Sequence, residues 1–577
     1  MQGHGAHRGS GVAGRGPAAG VPPRRRAQLR LGRRRFLQWL AAAGGAAMWP
    51  PAHGGCSSGG ADSGAISSAV VVGGGLAGLA AAYEIARQGG EVTLLERAGS
   101  LAERPAGARQ LLGGRVASFA AAFEPSLIVE AGAEFIAGTD EDVIEAAFEL
   151  SARTGLDVRP VAVRGSDLLY LRTSVAPGGA LFRWQGGLRE SADAGELSGR
   201  LAARAVQQLA SGGTLEAVLG PLYEQIEVPI WRTSHPAARQ LDAMTLGELL
   251  RGPQLDLHPD ALRLIEAYFE DENGVSIEDV SALYGLDELF FAMYDQSWSR
   301  APGSGPRGLD PLGFYRIPGG NDRLVQAYDS ALRALGARIV TGAEVVAIEQ
   351  LARGAVRVST RAGQSFAAAG AVVAVPSWRL RAISFPGGLS AGKRALIAEY
   401  PYTSYVKVVF FFERRPWERH CPGGPGACGQ AFVTTDLVAG SIAVVHAQDP
   451  GSSAAALVVL ISGRDAQAFV SLWQSAPQAA LAQVRDAVEQ LWPGTMSPAA
   501  GYRAGEDRVY AYAGTALPYP RPGAVAGQGD VLRLLPHSAS RLGRIAFAGD
   551  YVDNGAGMTF AIRSARRAVR LLARALA

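Results

Sequence analysis

The chain has 577 residues, 48% hydrophobic and 19% charged, so it can bury more than one core and is no globally disordered chain. Its 74 glycines and 32 prolines follow no Gly-X-Y period, and no uninterrupted apolar run reaches the length of a membrane-spanning helix. The formal charge of +4 includes nine arginines before residue 50; without them it is −5, which argues against a nucleic-acid surface on the body of the chain.

In chain order, Arg33-Arg34-Arg35-Phe36-Leu37 comes first, followed by an apolar stretch through Trp49 and then Pro50-Pro51. This is the order of an export leader. The arginine pair with Phe36-Leu37 resembles the twin-arginine signal, which implies the twin-arginine export machinery as a partner and a periplasmic or cell-envelope address. Cys56 resembles a lipoprotein cleavage site, although His53 stands where an aliphatic residue is preferred; a lipid anchor at Cys56 is an open expectation. Residues 1–65 are read as export signal and tether. Cys421 and Cys428 flank a turn-rich loop and either pair or remain thiols. No Cys/His cluster has metal-ligand spacing, so no metal site is expected.

Residues 69–72, Ala-Val-Val-Val, read as a buried parallel strand. Gly73-Gly74-Gly75-Leu76-Ala77-Gly78 follows, then a predicted helix from Leu79 to Gln88, then a strand from Glu91 to Leu95 ending at Glu96. This is G-x-G-x-x-G in its required setting. Gly73 allows the tight turn, Gly75 lets the backbone approach a pyrophosphate, and Gly78 lets helix and strand close up. The helix N-terminus offers N–H groups to the phosphates, and Glu96 is placed to accept from ribose hydroxyls. NAD and FAD share this unit, so the rest of the chain must choose between them.

Further on stand Leu111-Leu112-Gly113-Gly114-Arg115 and Val129-Glu130-Ala131-Gly132-Ala133-Glu134-Phe135-Ile136. Near the C-terminus come Ile545-Ala546-Phe547-Ala548-Gly549-Asp550 and Gly555-Ala556-Gly557-Met558-Thr559. In these segments, from about residue 66 to the end, the chain resembles the flavin-containing amine oxidase superfamily. The resemblance implies an α/β fold: a discontinuous Rossmann-like FAD-binding domain (66–150, 315–378 and 535–577) with an inserted α+β substrate domain (151–314 and 379–534). It also implies an FAD-dependent enzyme. Gly114 would bring backbone against the cofactor, with Arg115 donating to a phosphate or the flavin edge. Ala133 and Glu134 would line the isoalloxazine, and Asp550, after Gly549, would accept from the ribityl chain. Met558 would open a last helix, 558–576, whose N-terminus faces the flavin pyrimidine. Between these, Tyr315 to Gly320 precedes a predicted helix from Asn321 to Leu335 and a strand pair at 338–340 and 345–349. In the family, backbone near Val345 contacts adenine.

Lysine is rare here, Lys393 and Lys407 against 54 arginines, so a surviving lysine is a candidate for work that a guanidinium cannot do. Lys407 falls where the resemblance places a lysine that holds a water beside flavin N5, and it is the candidate catalytic residue. Gly387 to Lys393 spells the first part of a P-loop, but Arg394 replaces the required Ser/Thr, so no ATP site is expected. The family pattern is also broken in places. Arg97 to Leu112 is an insertion. No cysteine stands near Thr515, so FAD should be non-covalent. Ala516 and Gly557 occupy the positions of two substrate-sandwiching aromatics, with Tyr510, Tyr512 or Tyr519 as substitutes. Phe135 stands where amino-acid oxidases carry an arginine. Helices at Asp242–Arg251 and Ala261–Glu270, an antiparallel sheet around 404–413 and a gating loop at 299–311 complete the expected substrate domain.

The leading expectation is an exported oxidase that takes a hydride from a carbon next to an amine nitrogen, giving an imine, with oxygen as acceptor and hydrogen peroxide as product. A dehydrogenase or desaturase of a hydrophobic non-amine substrate, and a non-catalytic FAD-bound electron-transfer partner, are the alternatives.

Overall fold

Ala69 to Val72 are buried on both faces, the condition of an inner parallel strand. The computed structural model describes residues 66–163, 167–183, 188–226, 235–289, 303–311, 313–352, 354–386, 389, 391–525, 543–552 and 557–577. Within these, Ser68–Val72 is the middle strand of five, all parallel, in the order Arg338–Val340, Glu91–Leu95, Ser68–Val72, Gly370–Val373, Ile545–Phe547. Three separated stretches of chain supply them. Arg33, Arg34, Cys56 and the start of the expected gating loop lie outside the described residues.

Helix Leu76–Ala86 begins three residues earlier than predicted, because Gly78 belongs to its first turn rather than to the loop before it. All its residues are buried, which explains why it is apolar on every side except at Glu84, which pairs with Arg87 and Arg566. Helix Asp322–Ala334 covers it, with Tyr83 meeting Tyr328 edge to face at 5.7 Å, and so does helix Met558–Leu576 through Ile562, Ala565 and Val569. On the last helix these residues alternate at helical spacing with arginines. Arg563 and Arg566 turn away from the core and donate to Asp142 at 2.7 and 2.8 Å.

A second sheet has seven strands in the order Arg508–Tyr512, Tyr405–Phe412, Ala455–Ser462, Ser441–His446, Phe432–Thr435, Asp167–Leu171, Ala180–Arg183. Its pairs are antiparallel except Phe432–Thr435 with Asp167–Leu171. The expected sheet around 404–413 is thus mixed, not purely antiparallel. Alternation along Tyr405–Phe412 divides its side chains between two cores. Val406, Val408, Phe410 and Phe412 pack with helices Gly463–Ser475 and Pro477–Leu491 through Phe469, Val484 and Val488. Val409 and Phe411 face the other way, onto Phe119, Val129 and Ala131. Lys407 shares their parity.

Three other expectations are revised. The helix expected at Asp242–Arg251 is two, Pro236–Asp242 and Leu246–Leu250. The second starts in a capping box, Thr245 Oγ1 accepting from Glu248 N–H and Glu248 accepting from Thr245 N–H. The helix at Ala261–Glu270 extends to Pro259–Asn273, where Pro259 at the first turn and left-handed Gly274 set the ends. The strands at 338–340 and 345–349 join different sheets: Val345–Gln350 pairs with Val356–Thr360, which pairs with Ser365–Ala368. Cys421 and Cys428 are disulfide-bonded beside the buried Trp417 and Trp492.

Candidate cofactor and active site

At the carboxyl edge of the parallel sheet the predicted glycines come together. Gly73, at φ +105°, turns the chain off its strand, its N–H donating to Leu95 O at 2.8 Å. A Cβ on Gly78 would stand 1.8 Å from Gly73 O, so only glycine allows this helix so close to the strand. Gly75 differs: a Cβ there would meet nothing nearer than Gly114 Cα, at 3.9 Å. Gly75 caps helix Leu76–Ala86 without any side-chain acceptor, so an open space lies before an uncapped helix N-terminus. Glu96 closes the turn, accepting from Gly74 N–H at 2.7 Å and Ala98 N–H at 2.8 Å. Val345 connects to this corner through Ala343, whose N–H donates to Glu96 O, and packs with Val72 and Leu95.

The insertion between Glu96 and Gly113 folds back on the glycine turn. Arg104 donates to the carbonyls of Leu112 at 3.1 Å and Gly114 at 2.6 Å, while Arg109 reaches the Asp322 carboxylate and Gly319 O. No motif signals Arg104; only the fold reveals it.

The next group joins Arg115 to the end of the last strand. Its guanidinium meets Asp550 at 2.8 Å, donates to Ala516 O and lies 5.7 Å from the Tyr402 ring centroid. Burial opposes its charge, and Asp550 together with Tyr402 and Tyr512 more than offsets that. Gly549, at φ +146°, donates to Ser564 Oγ at 2.9 Å. Met558 is the first residue of the last helix, which carries no side-chain cap. The hydroxyls of Tyr551 and Thr559 are buried without a hydrogen-bond partner among the described residues.

Lys407 reaches across from the seven-stranded sheet to the run Glu130–Glu134. It donates to Glu134 Oε2 at 2.5 Å, Gly132 O at 2.6 Å and Glu130 O at 3.1 Å. Glu134 is shared with Arg316, whose guanidinium lies 4.6 Å from the Phe135 ring centroid. Burial disfavours the Glu134 charge, but Lys407 and Arg316 together hold its carboxyl below the usual range. Asn321 holds the same run from the other side, donating to Ala133 O and Glu134 O at 3.1 Å each, and Ala133 N–H donates to Arg115 O. Glu130 accepts from Ser118 Oγ at 2.6 Å and Asn321 N–H at 2.8 Å; burial pushes it up to about 7. Arg316 and Asn321 lay within reach of the sequence reading, one inside and one just after the segment Tyr315 to Gly320.

One row of the sheet runs Tyr510, Lys407, Leu460, Ser441, Thr434, all on the face toward Glu130–Glu134. At its far end Thr434 Oγ1 donates to Asp271 at 2.6 Å, and burial pushes Asp271 up to about 6. Asp167 stands beside Phe432 in register, also pushed by burial to about 6. Phe432 packs on Phe135 at 5.6 Å, and Phe314 does so at 5.4 Å. Aromatic rings thus gather around Phe135. Tyr510 and Tyr512 instead donate to Ala106 O and Ala131 O, tying the sheet to the nucleotide side, and Tyr519 packs with the helical cluster. Lys393 lies apart on helix Ala391–Glu399, where burial lowers it to about 8.

A family model described as flavin containing amine oxidoreductase matches residues 76–573. The chain belongs to this family. It is an FAD-dependent oxidoreductase. A Mycobacterium tuberculosis protein provisionally named flavin-containing monoamine oxidase AofH is 27% identical over 411 residues, 69% of this chain and 74% of that protein. Cyclohexylamine oxidase from Brevibacterium oxydans shares the fold, with a TM-score of 0.63 at 19% identity over 88% of this chain and 98% of that one. A putrescine oxidase bound to putrescine does likewise, with a TM-score of 0.62 at 16% identity over 87% and 98%.

The residues present fit the flavin cofactor of this family. The space over Gly75 is one a Cβ would enter, helices Leu76–Ala86 and Met558–Leu576 both begin without a side-chain cap, and the buried Thr559 and Tyr551 hydroxyls have no partner among the described residues. An orphaned buried hydroxyl is costly unless a bound group satisfies it.

Proposed function

We propose that this flavin-containing amine oxidoreductase is an exported oxidase acting on a carbon bonded to an amine nitrogen. The amine would lose two electrons and two protons to become an imine, which water hydrolyses. Oxygen would take up two electrons and two protons to become hydrogen peroxide. Bound FAD would supply the two-electron acceptor between these halves.

The chain's own residues would do the holding and the electrostatics. Gly73, Gly75 and Gly78 with helix Leu76–Ala86 would cradle the pyrophosphate, and Glu96 keeps lone pairs for the ribose beyond its two backbone bonds. Val345 would stand on the adenine side. Gly114, Arg115, Ala133 and Glu134 would line the flavin, Asp550 would accept from the ribityl chain, and Met558 N–H would favour negative charge at the pyrimidine. Without a cysteine near Thr515, the flavin is held non-covalently. The observation that carries the oxidase reading is Lys407, brought from the opposite sheet onto the run Glu130–Glu134, where the field of a held ammonium would stabilise negative charge developing on oxygen. The carboxylates Asp271 and Asp167 on the same face favour a cationic substrate such as an amine. The division into a flavin domain (66–150, 315–378, 535–577) and a substrate domain is part of this reading. So are twin-arginine export, an envelope address and lipidation at Cys56, which rest on the leader alone.

Purified holoprotein is mixed anaerobically with amines, amino acids and apolar compounds while flavin absorbance is followed, and air is then admitted. Bleaching by amines followed by stoichiometric peroxide is expected. Bleaching only by apolar non-amines, or recolouring without peroxide, would overturn the reading.

A further inference from the structure

An ammonium has three hydrogens, and three protein oxygens take those of Lys407, all from Glu130, Gly132 and Glu134. The acceptors surround a point, which suits the compact ammonium and not a planar guanidinium; this accounts for a lysine surviving in a chain that otherwise uses arginine. Lys407 is 5% exposed, so its charge requires a counter-charge close by. Two of its acceptors are neutral carbonyls. The third is the Glu134 carboxylate.

We propose that Glu134 is a positioning residue for Lys407: its charge, rather than the packing of the cluster, holds the lysine as an ammonium at a fixed place over the run Glu130–Glu134.

The groups facing Lys407 support this division of labour. Leu460 and Tyr510 flank it on the neighbouring strands, and the Tyr512 hydroxyl is spent on Ala131 O. Burial raises both tyrosines, so they stay neutral. Glu130 presents its carbonyl to Lys407 while its carboxyl is bonded to Ser118 and the Asn321 N–H, and burial pushes that carboxyl up to about 7, so that it is neutral in about half of the molecules at neutrality. Arg316 adds positive charge on the far side of Glu134. Among these groups Glu134 alone offers Lys407 a full negative charge.

Removing that charge leaves a buried ammonium without a counter-charge, which favours the neutral amine. The test compares Glu134→Gln with Arg316→Met. Both strip one ion pair from the cluster, but Arg316→Met leaves Glu134 on Lys407. Thermal midpoints are measured on the holoprotein from pH 8.5 to 10.5, above the range in which Glu130, pushed up to about 7, changes its charge. A lysine with depressed proton affinity makes the folded state bind fewer protons than the unfolded state, so stability rises with pH between the two lysine values. The Glu134→Gln penalty is therefore expected to shrink as pH rises, while the Arg316→Met penalty stays constant.

A second measurement rests on the proposed oxidase function. Flavin is reduced anaerobically with one equivalent of dithionite, without substrate, and its recolouring in air is timed. In Glu134→Gln the rate should fall about tenfold for each pH unit above the new lysine value, with parent and Arg316→Met flat. Because no amine is needed, a wrong substrate class would leave this result readable. Should Glu134→Gln not fold, Glu134→Asp keeps the charge at a longer reach, and a smaller effect of the same sign is expected. A penalty independent of pH in the Glu134 variant, or the same pH dependence in Arg316→Met, would overturn the proposal.

Discussion

Arg115 and Asp550 form a 2.8 Å ion pair between the turn after Gly113-Gly114 and the end of the last parallel strand. The carboxylate is 5% exposed and the guanidinium about one third. Asp550→Asn is expected to cost about 2 kcal/mol, between the values for exposed and buried pairs, and to weaken flavin retention. Chemical denaturation and flavin titration check both; unchanged flavin affinity would remove Asp550 from the cofactor site.

Gly75 and Gly78 should respond oppositely to alanine. At Gly78 the added methyl collides with Gly73 O, so little folded protein is expected. At Gly75 it enters open space at an ordinary φ of −72°, so the protein should fold with an unaltered apoprotein melting temperature. Flavin affinity of Gly75→Ala should nevertheless drop tenfold or more, about 1.4 kcal/mol, because the methyl occupies the place proposed for the pyrophosphate. Tight flavin binding by Gly75→Ala would move the pyrophosphate elsewhere.

Lys407→Met is predicted to slow reoxidation of reduced flavin on the order of a hundredfold, the usual effect of removing a group that stabilises developing negative charge. Flavin affinity should change far less. Stopped-flow mixing with oxygen separates the two, and wild-type oxygen kinetics would deny Lys407 its assigned role.

Glu130 and Asp271 are pushed up to about 7 and about 6 by burial. The folded state therefore keeps protons that the unfolded chain releases near pH 4, and stability from these groups is lost as pH rises through 4 to 7. Glu130→Gln, which imitates the protonated acid, should lose less thermal stability between pH 5 and pH 8 than the parent does. Parallel melting curves decide it; identical pH slopes would mean that Glu130 is ionised throughout.

The parallel strands and the last helix could be read from sequence because each is local: Ala69 to Val72 form an unbroken apolar run, and Met558 opens a helical apolar stripe. The Thr245–Glu248 capping box was equally local, and reading it would have split the helix expected at Asp242–Arg251. The candidate site itself was partly legible. Motif order singled out Lys407, Arg115 and Asp550 as candidates, but which partner each meets depends on strands brought together over long separations. Lys407 finds Glu134 only through the pairing of Tyr405–Phe412 in the seven-stranded sheet, and Arg104 finds Gly114 only through the fold of an insertion without motif. Asp271 and Phe432 meet Thr434 and Phe135 by tertiary contact alone.

The edge strand Ile545–Phe547 belongs to the same sheet as Ser68–Val72, and the helix after it lies on helix Leu76–Ala86. A ribosome making this protein therefore releases the first half of the dinucleotide fold long before its closing pieces exist. Flavin capture should be a post-translational event, and a polypeptide stopped short of Ile545 should emerge unable to keep the coenzyme, whatever else it has managed to fold.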